Sequence, residues 1–191
     1  MAKNSVLQHF EKYLGPGALS STAKDAISGE ALDLKICLFN NKPVKNAFTL
    51  STIGLSNKVF YQPDQTPVRH EILFCAHKPF LSDEIYSCLF DFVDYALSQD
   101  ESITVGQLFD FEAPISNKTS MEAFVFYEPG YFDDGIFVFE ETDPAVIVAW
   151  AIPIHRKELS FIDKNGAEAF DDLLAKFDPD LLDLSRPSIV K

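Results

Sequence analysis

The chain has no apolar run near the roughly 20 residues that a membrane-crossing helix needs, so no membrane association is expected. Its first residues, MAKNSVLQHFEKYLG, lack the apolar centre of a secretory leader, and a cytoplasmic location is the expectation. Cysteine is scarce. Cys37, Cys75 and Cys88 are odd in number, are not spaced as a disulfide framework and sit in apolar patterns, so they read as reduced core residues. There is no P-loop, no G-x-G-x-x-G, no G-x-S-x-G elbow and no H-E-x-x-H, which removes the usual signatures of nucleotide, dinucleotide, hydrolase and zinc-protease chemistry. No cofactor and no metal are expected. Internal repeats and low-complexity tracts are also absent. Bases are few, 16 against 29 acids, and no basic patch is interleaved with aromatics, so direct binding of nucleic acid is not expected.

Apolar residues are plentiful. They make up 47% of the 191 positions, with 18 Phe. That is enough for a substantial core and points to a single domain over residues 1–191. The acidic charge is unevenly spread. Residues 1–99 carry ten acids and nine bases, and residues 144–191 carry eight acids and six bases. Between them, residues 100–143 carry eleven acids and one base, Lys118. Such a segment repels nucleic acid and attracts a basic partner; a plain solvated face is the competing explanation.

Periodicity gives the elements. Ser5 with Gln8 matches a capping box opening a helix to Leu14, with Val6, Phe10, Tyr13 and Leu14 on one face and Gly15-Pro16-Gly17 as its stop. Leu32–Leu38 and Ala47–Ile53 read as an antiparallel pair of strands joined at Asn40-Asn41-Lys42-Pro43. Val68–Ala76 is a third strand, with Arg69 and Glu71 on one face and Val68, His70, Ile72 and Phe74 on the other. A helix starts at Ser82 and buries Ile85, Leu89, Phe92, Val93 and Ala96. Met121–Tyr127 and Ile136–Phe139 read as strands separated by a hairpin-like turn at Asp133-Asp134-Gly135, and Asn165–Phe177 as a final helix carrying Phe170, Leu173, Leu174 and Phe177. The most buried strand is expected in Ala145–Leu159, AVIVAWAIPIHRKEL, which holds the only Trp. Pro153 is expected to end this strand or take it out of the sheet, and His155-Arg156-Lys157-Glu158 reads as either a functional switch at a strand end or, more economically, a chain leaving into solvent. Together these elements predict an α+β (mixed α/β) fold with a central mixed, largely antiparallel sheet and helices packed on it.

A Ser56–His155–Glu158 triad can be drawn on paper, as can a zinc set of His70, Cys75, His77 and Cys88. Neither carries a motif spacing, since four His and many Glu assemble such sets by chance. Asp133-Asp134-Gly135 shares part of a calcium-loop pattern without the rest of its spacing.

Four pieces occur in order: Phe48–Ser56 (FTLSTIGLS), Arg69–Phe74 (RHEILF), the helix after it, and Trp150–Leu159 (WAIPIHRKEL) followed by Gly166. Over about residues 30–175 the chain thereby resembles the suppressor-of-fused-like domain in its short, single-domain bacterial form. The resemblance implies a protein-binding domain with no catalytic centre, of a kind whose bacterial members act as immunity proteins in polymorphic toxin systems. It picks out Gly54, Leu55, Ser56, Glu71, Pro153 and Glu158, mostly as fold determinants, with Glu71 facing a buried partner. The expected function is therefore an immunity protein (antitoxin) that binds a cognate toxin, a basic nuclease. The expected contact residues are the acids Asp110, Glu112, Asp133, Asp134, Glu140 and Glu141. A small hydrolase using Ser56 or His155, and a general regulatory binding module, are the alternatives.

Overall fold

Two strands, β5 (Pro67–His77) and β9 (Val146–His155), lie side by side and parallel at the centre of the fold, registered from Arg69↔Val146 to Leu73↔Trp150. Both are long, and almost every residue of each is buried, as their continuous β-branched and aromatic runs require. The computed structural model describes residues 5–24, 31–99 and 102–191. Asp100 and Glu101, part of the acidic segment, lie outside them.

On one side of β5 the sheet continues antiparallel through β3 (Ala47–Ile53), β2 (Ala31–Asn40) and β1 (Ala18–Lys24). The predicted pairing of the two N-terminal strands is present, with Cys37 opposite Ser51. A two-residue strand, β4 (Phe60–Tyr61), pairs with the start of β5. On the other side of β9 lie β7 (Met121–Tyr127) and then β6 (Leu108–Asp110), again antiparallel. The sheet is mixed and mostly antiparallel, as the sequence predicts, with nine strands among the described residues.

Alternating side chains feed two cores, one on each face. On one face, α2 (Asp83–Ser98) presents Ile85, Leu89, Phe92 and Val93 to Leu50, Ile72, Phe74, Phe124 and Phe126. Aromatic rings dominate there, with Phe92 and Phe126 centroids 4.4 Å apart. On the opposite face, α1 (Val6–Leu14), α3 (Arg156–Asn165) and α4 (Ala167–Phe177) bring Phe10, Leu14, Ile162 and Phe170 onto Phe39, Leu73, Cys75, Trp150 and Ile152. The capping box of α1 forms as its sequence predicts: Gln8 N donates to Ser5 Oγ and Ser5 N to Gln8 Oε1. Ser82 takes the cap position of α2, but its hydroxyl makes no capping bond. All three cysteines are free and buried.

Three expectations are corrected. The central strand does not stop at Pro153 but runs to His155. Beyond Trp150 only β7 is registered against β9, with Phe124 opposite Pro153, so no second ladder needs the missing N–H. Asp133-Asp134-Gly135 is not a hairpin turn. The chain leaves β9 after Tyr127, makes a 3-10 turn at Asp134–Ile136, and returns to the same edge of β9 as β8 (Val138–Phe139). β7 and β8 are one interrupted strand. Finally, the chain does not leave into solvent after the strand: His155 caps α3, Arg156–Glu158 form its first turn, and Glu158 is fully buried.

Trp150 is 4% exposed in the second core, with Tyr131 stacked at 4.9 Å. Trp150→Ala is expected to cost about 3–5 kcal/mol, measured as a lower denaturant midpoint by circular dichroism; a loss within ~1 kcal/mol would mean that the site can collapse around the missing ring.

Candidate partner-binding surface

The sequence-predicted acids fall into two groups. Asp134, Glu140 and Glu141 line one groove of about 450 Å³, opposite His9, Lys12 and Tyr13 of α1. Asp133 belongs to this group. Its Oδ1 accepts from Gly135 N at 3.0 Å and so fixes the turn that carries Asp134. The groove floor is firm, because His9 Nε2 bonds Ile136 O at 3.1 Å and the His9 ring packs on Phe139. All four acids are exposed.

Asp110 and Glu112 are elsewhere. Asp110 pairs through Ala123 to Ile154, near the far end of β9, whereas β8 meets Val146 and Ile147 at its start. Eight strand residues separate these ends by roughly 26 Å. Asp110 is also already engaged. Arg156 Nη1 bonds it, while Arg156 Nε bonds Glu122 at 2.7 Å. The hydrogen bond from Arg156 holds the Asp110 carboxyl below the usual carboxylate range. Glu112 turns away with a positive φ of 60°. The two therefore do not share an extended face.

The resemblance motifs resolve into two buried carboxylates. Glu71 is fully buried on β5. Its Oε1 accepts from Gly54 N (2.8 Å), Ser56 N (3.2 Å) and Ser56 Oγ (2.7 Å), and its Oε2 from Thr52 Oγ1 (2.5 Å). Thr52 Oγ1 in turn accepts from Ile72 N at 2.8 Å. The Gly54-Leu55-Ser56 turn is thus wrapped around one carboxyl group. It needs glycine at Gly54, where φ is 113°. The buried partner of Glu71 is this turn and not a cation. Burial pushes the Glu71 carboxyl above its ordinary value, against the pull of the four hydrogen bonds.

Glu158 is compensated differently. Arg186, 5% exposed, donates to Oε1 at 2.7 Å and Oε2 at 3.0 Å, and the backbone N–H groups of Ile189 and His155 complete the set. Burial alone would push Glu158 up; the Arg186 guanidinium and the two N–H groups outweigh it and hold the carboxyl below the ordinary range. This pair pins the C-terminal segment. Arg186 Nη2 also reaches Pro153 O, and His155 Nε2 donates to Arg186 O at 2.8 Å. Leu182 lies in one core and Leu184 in the other. Arg186 was not foreseen: nothing in Ser185-Arg186-Pro187 marks it beyond being one of three arginines. Its partner gave no clue either, since Glu158 follows His155-Arg156-Lys157 in a polar stretch.

The candidate chemical sets are dispersed. Ser56 Oγ is committed to Glu71 at the Val146 end of the sheet, and His155 to Arg186 at the other end. Cys75 and Cys88 sit in different cores. His70 is held between Ile103 N, which donates to Nε2, and Ile147 O, which accepts from Nδ1; burial pushes its pKa down to about 4. His77 bonds Asp180 at 2.7 Å. Among the described residues no three His, Cys, Asp or Glu side chains converge as metal ligands, and no helix is long and apolar enough to cross a membrane.

The Glu71 turn, the Pro153 strand and the Glu158 helix start are the structural content of the motifs, and a family model for the suppressor of fused protein matches residues 30–187. The chain belongs to the suppressor of fused family. The immunity protein YqcF of Bacillus subtilis (strain 168) is 25% identical over 166 residues, covering 82% of each chain. A suppressor of fused homolog from Neisseria gonorrhoeae FA 1090 superposes with a TM-score of 0.77 at 17% identity, covering 97% of this chain and 95% of that one. A chain of the Sufu–Fu complex gives 0.70 at 13% identity, covering 96% and 90%. Drosophila Suppressor of Fused gives 0.71 at 12% identity, covering 97% of this chain and half of the longer protein.

The two buried carboxylates have opposite pH signatures. Glu158, depressed when folded, contributes stability that is present above its unfolded value near 4.5 and lost as pH falls through the folded value. Glu71, raised when folded, favours the native state below about 4.5, and this contribution is lost as pH rises through its folded value. Urea midpoints from pH 3 to 8 should therefore show a shallower acid-side loss in Glu158→Gln than in the wild type, and a smaller decline above pH 4.5 in Glu71→Gln. Arg186→Ala leaves Glu158 buried without a base and is expected to cost about 3–5 kcal/mol at neutral pH. A wild-type denaturation curve for Arg186→Ala would show that the tail does not depend on the pair.

Proposed function

We propose that the chain is an immunity protein (antitoxin) of the cytoplasm that binds and neutralises a cognate toxin, a basic nuclease, without catalysis of its own. The observation that carries this reading is the similarity to YqcF, an immunity protein, across four-fifths of both chains. The acidic groove supports the choice of a basic partner. Four exposed acids, Asp133, Asp134, Glu140 and Glu141, lie on and beside one groove whose other wall is a helix. A nuclease must present a basic cleft to its substrate, and such a groove offers that cleft carboxylates in place of phosphates. Asp110, neutralised by Arg156 at the other end of β9, is a weaker contact than the four.

Replacing Asp133, Asp134, Glu140 and Glu141 together by Asn or Gln is expected to slow association with the toxin encoded beside this chain. The loss should be about tenfold or more at low salt, and the salt dependence of binding should flatten. Stopped-flow association at two ionic strengths measures both. Unchanged rates and an unchanged salt slope would place the toxin contact elsewhere and leave the acidic groove a solvated face.

A further inference from the structure

The chain has three arginines against 29 acids. Arg156 is held by Asp110 and Glu122, and Arg186 by Glu158. Arg69 has no carboxylate partner among the described residues; its Nη1 donates instead to the carbonyls of Ser56 (2.6 Å) and Asn57 (3.2 Å). Those carbonyls belong to the turn that Glu71 fixes, so the guanidinium is positioned by rigid backbone and not by an anion. Among the described residues its Nη2 has no hydrogen-bond partner, and Nη2 is not among the buried unpaired atoms as Nε is. Arg69 lines a cavity of about 400 Å³ with Ser5, Ser56, Asn57, Thr142 and Asp143. Ser5 brings the first turn of α1, whose cap satisfies Gln8 N, at the positive end of the helix. Phe139 borders both this cavity and the acidic groove.

We infer that the Arg69 cavity receives a carboxylate side chain of the bound protein partner, next to the groove that receives the partner's basic residues. The inference rests on the immunity reading and extends it. Two adjoining sites of opposite sign fix the register of a docked partner, whereas a uniformly acidic face attracts any basic protein. With Nη1 committed to the turn and Nε buried, Nη2 is the nitrogen left to donate a charge-assisted hydrogen bond to a carboxylate oxygen. Asp143, exposed on the rim, opposes an incoming anion, and this gives the test a sign.

The pocket is read first without the toxin. Sodium acetate is titrated into the protein against sodium chloride at matched ionic strength, and the Arg69 Nε–H resonance is followed by NMR. A saturable, acetate-specific shift is expected, strengthened in Asp143→Asn. It should be abolished in Ser5→Asp, which keeps a good helix cap while placing a carboxylate in the cavity. Arg69→Gln and Ser5→Asp should each weaken binding to the neighbouring toxin about tenfold; Ser5→Asp leaves the Arg69 anchor in place and so covers the case in which Arg69→Gln fails to fold. An Arg69 resonance that responds equally to chloride overturns the inference and leaves the immunity reading standing. So do toxin affinities unchanged in both variants. Inorganic phosphate binding more tightly than acetate would assign the cavity to a phosphoanion and overturn the carboxylate assignment. A wild-type protein that ignores the toxin while showing the acetate shift would defeat the immunity reading and the partner assignment, with the anion site itself still measured.

Discussion

The parallel ladder between β5 and β9 is the constraint from which the rest follows. Parallel neighbours cannot be joined by a tight turn, so the residues between His77 and Val146 must travel away and return. They do so as α2, β6, β7 and β8, and this excursion supplies the second half of the sheet and one of its covering layers. A parallel pair at the centre is buried on both faces, which demands helices above and below. It also leaves two strand ends unfinished where the ladder stops. One buried carboxylate, Glu71, lies midway along the ladder opposite Val148, and the other, Glu158, lies beyond its end. Glu71 gathers the turn after β3, and Glu158 draws the C-terminal segment across the place where β5 parts from β9.

The two carboxylates solve the same problem in different ways. Glu158 is matched by a base, so its charge survives burial. Glu71 meets only hydroxyl and amide donors, so its proton affinity rises. Evolution of a fold can tolerate either, yet they differ in what they organise. The Glu158 pair joins segments 28 residues apart, whereas the Glu71 cluster shapes a single turn and, through it, positions Arg69 at the surface. A residue wholly inside the protein thereby orients a guanidinium that is only partly buried.

Where sequence and structure agree, one periodicity dominates. β2, β3 and β5 alternate or run apolar, and α2 carries an uninterrupted stripe from Ile85 to Ala96, so their existence and facing were legible. The helix α3 was not, because Arg156–Asn165 is mostly polar and buries only Glu158 and Ile162 completely. A carboxylate in that position reads as solvent-facing until Arg186, distant in sequence, is placed beside it. β8 is two residues long, too short for any period, and its relation to β7 is visible only once both are laid along β9. The acidic segment was legible as charge but not as a surface. Local sequence gives no means of knowing that Asp110 meets Arg156 while Asp134 and Glu141 face a helix from the other end of the chain.

The excursion that interrupts the strand along β9 also has an optical consequence. Tyr131 lies on it, two residues from Asp133, and its ring rests against Trp150 in the core. Trp150 is the sole indole in the chain. Any movement of this excursion that shifts Tyr131 therefore changes the surroundings of the one chromophore that dominates the protein's emission, and it can be followed in the unlabelled protein by its own fluorescence.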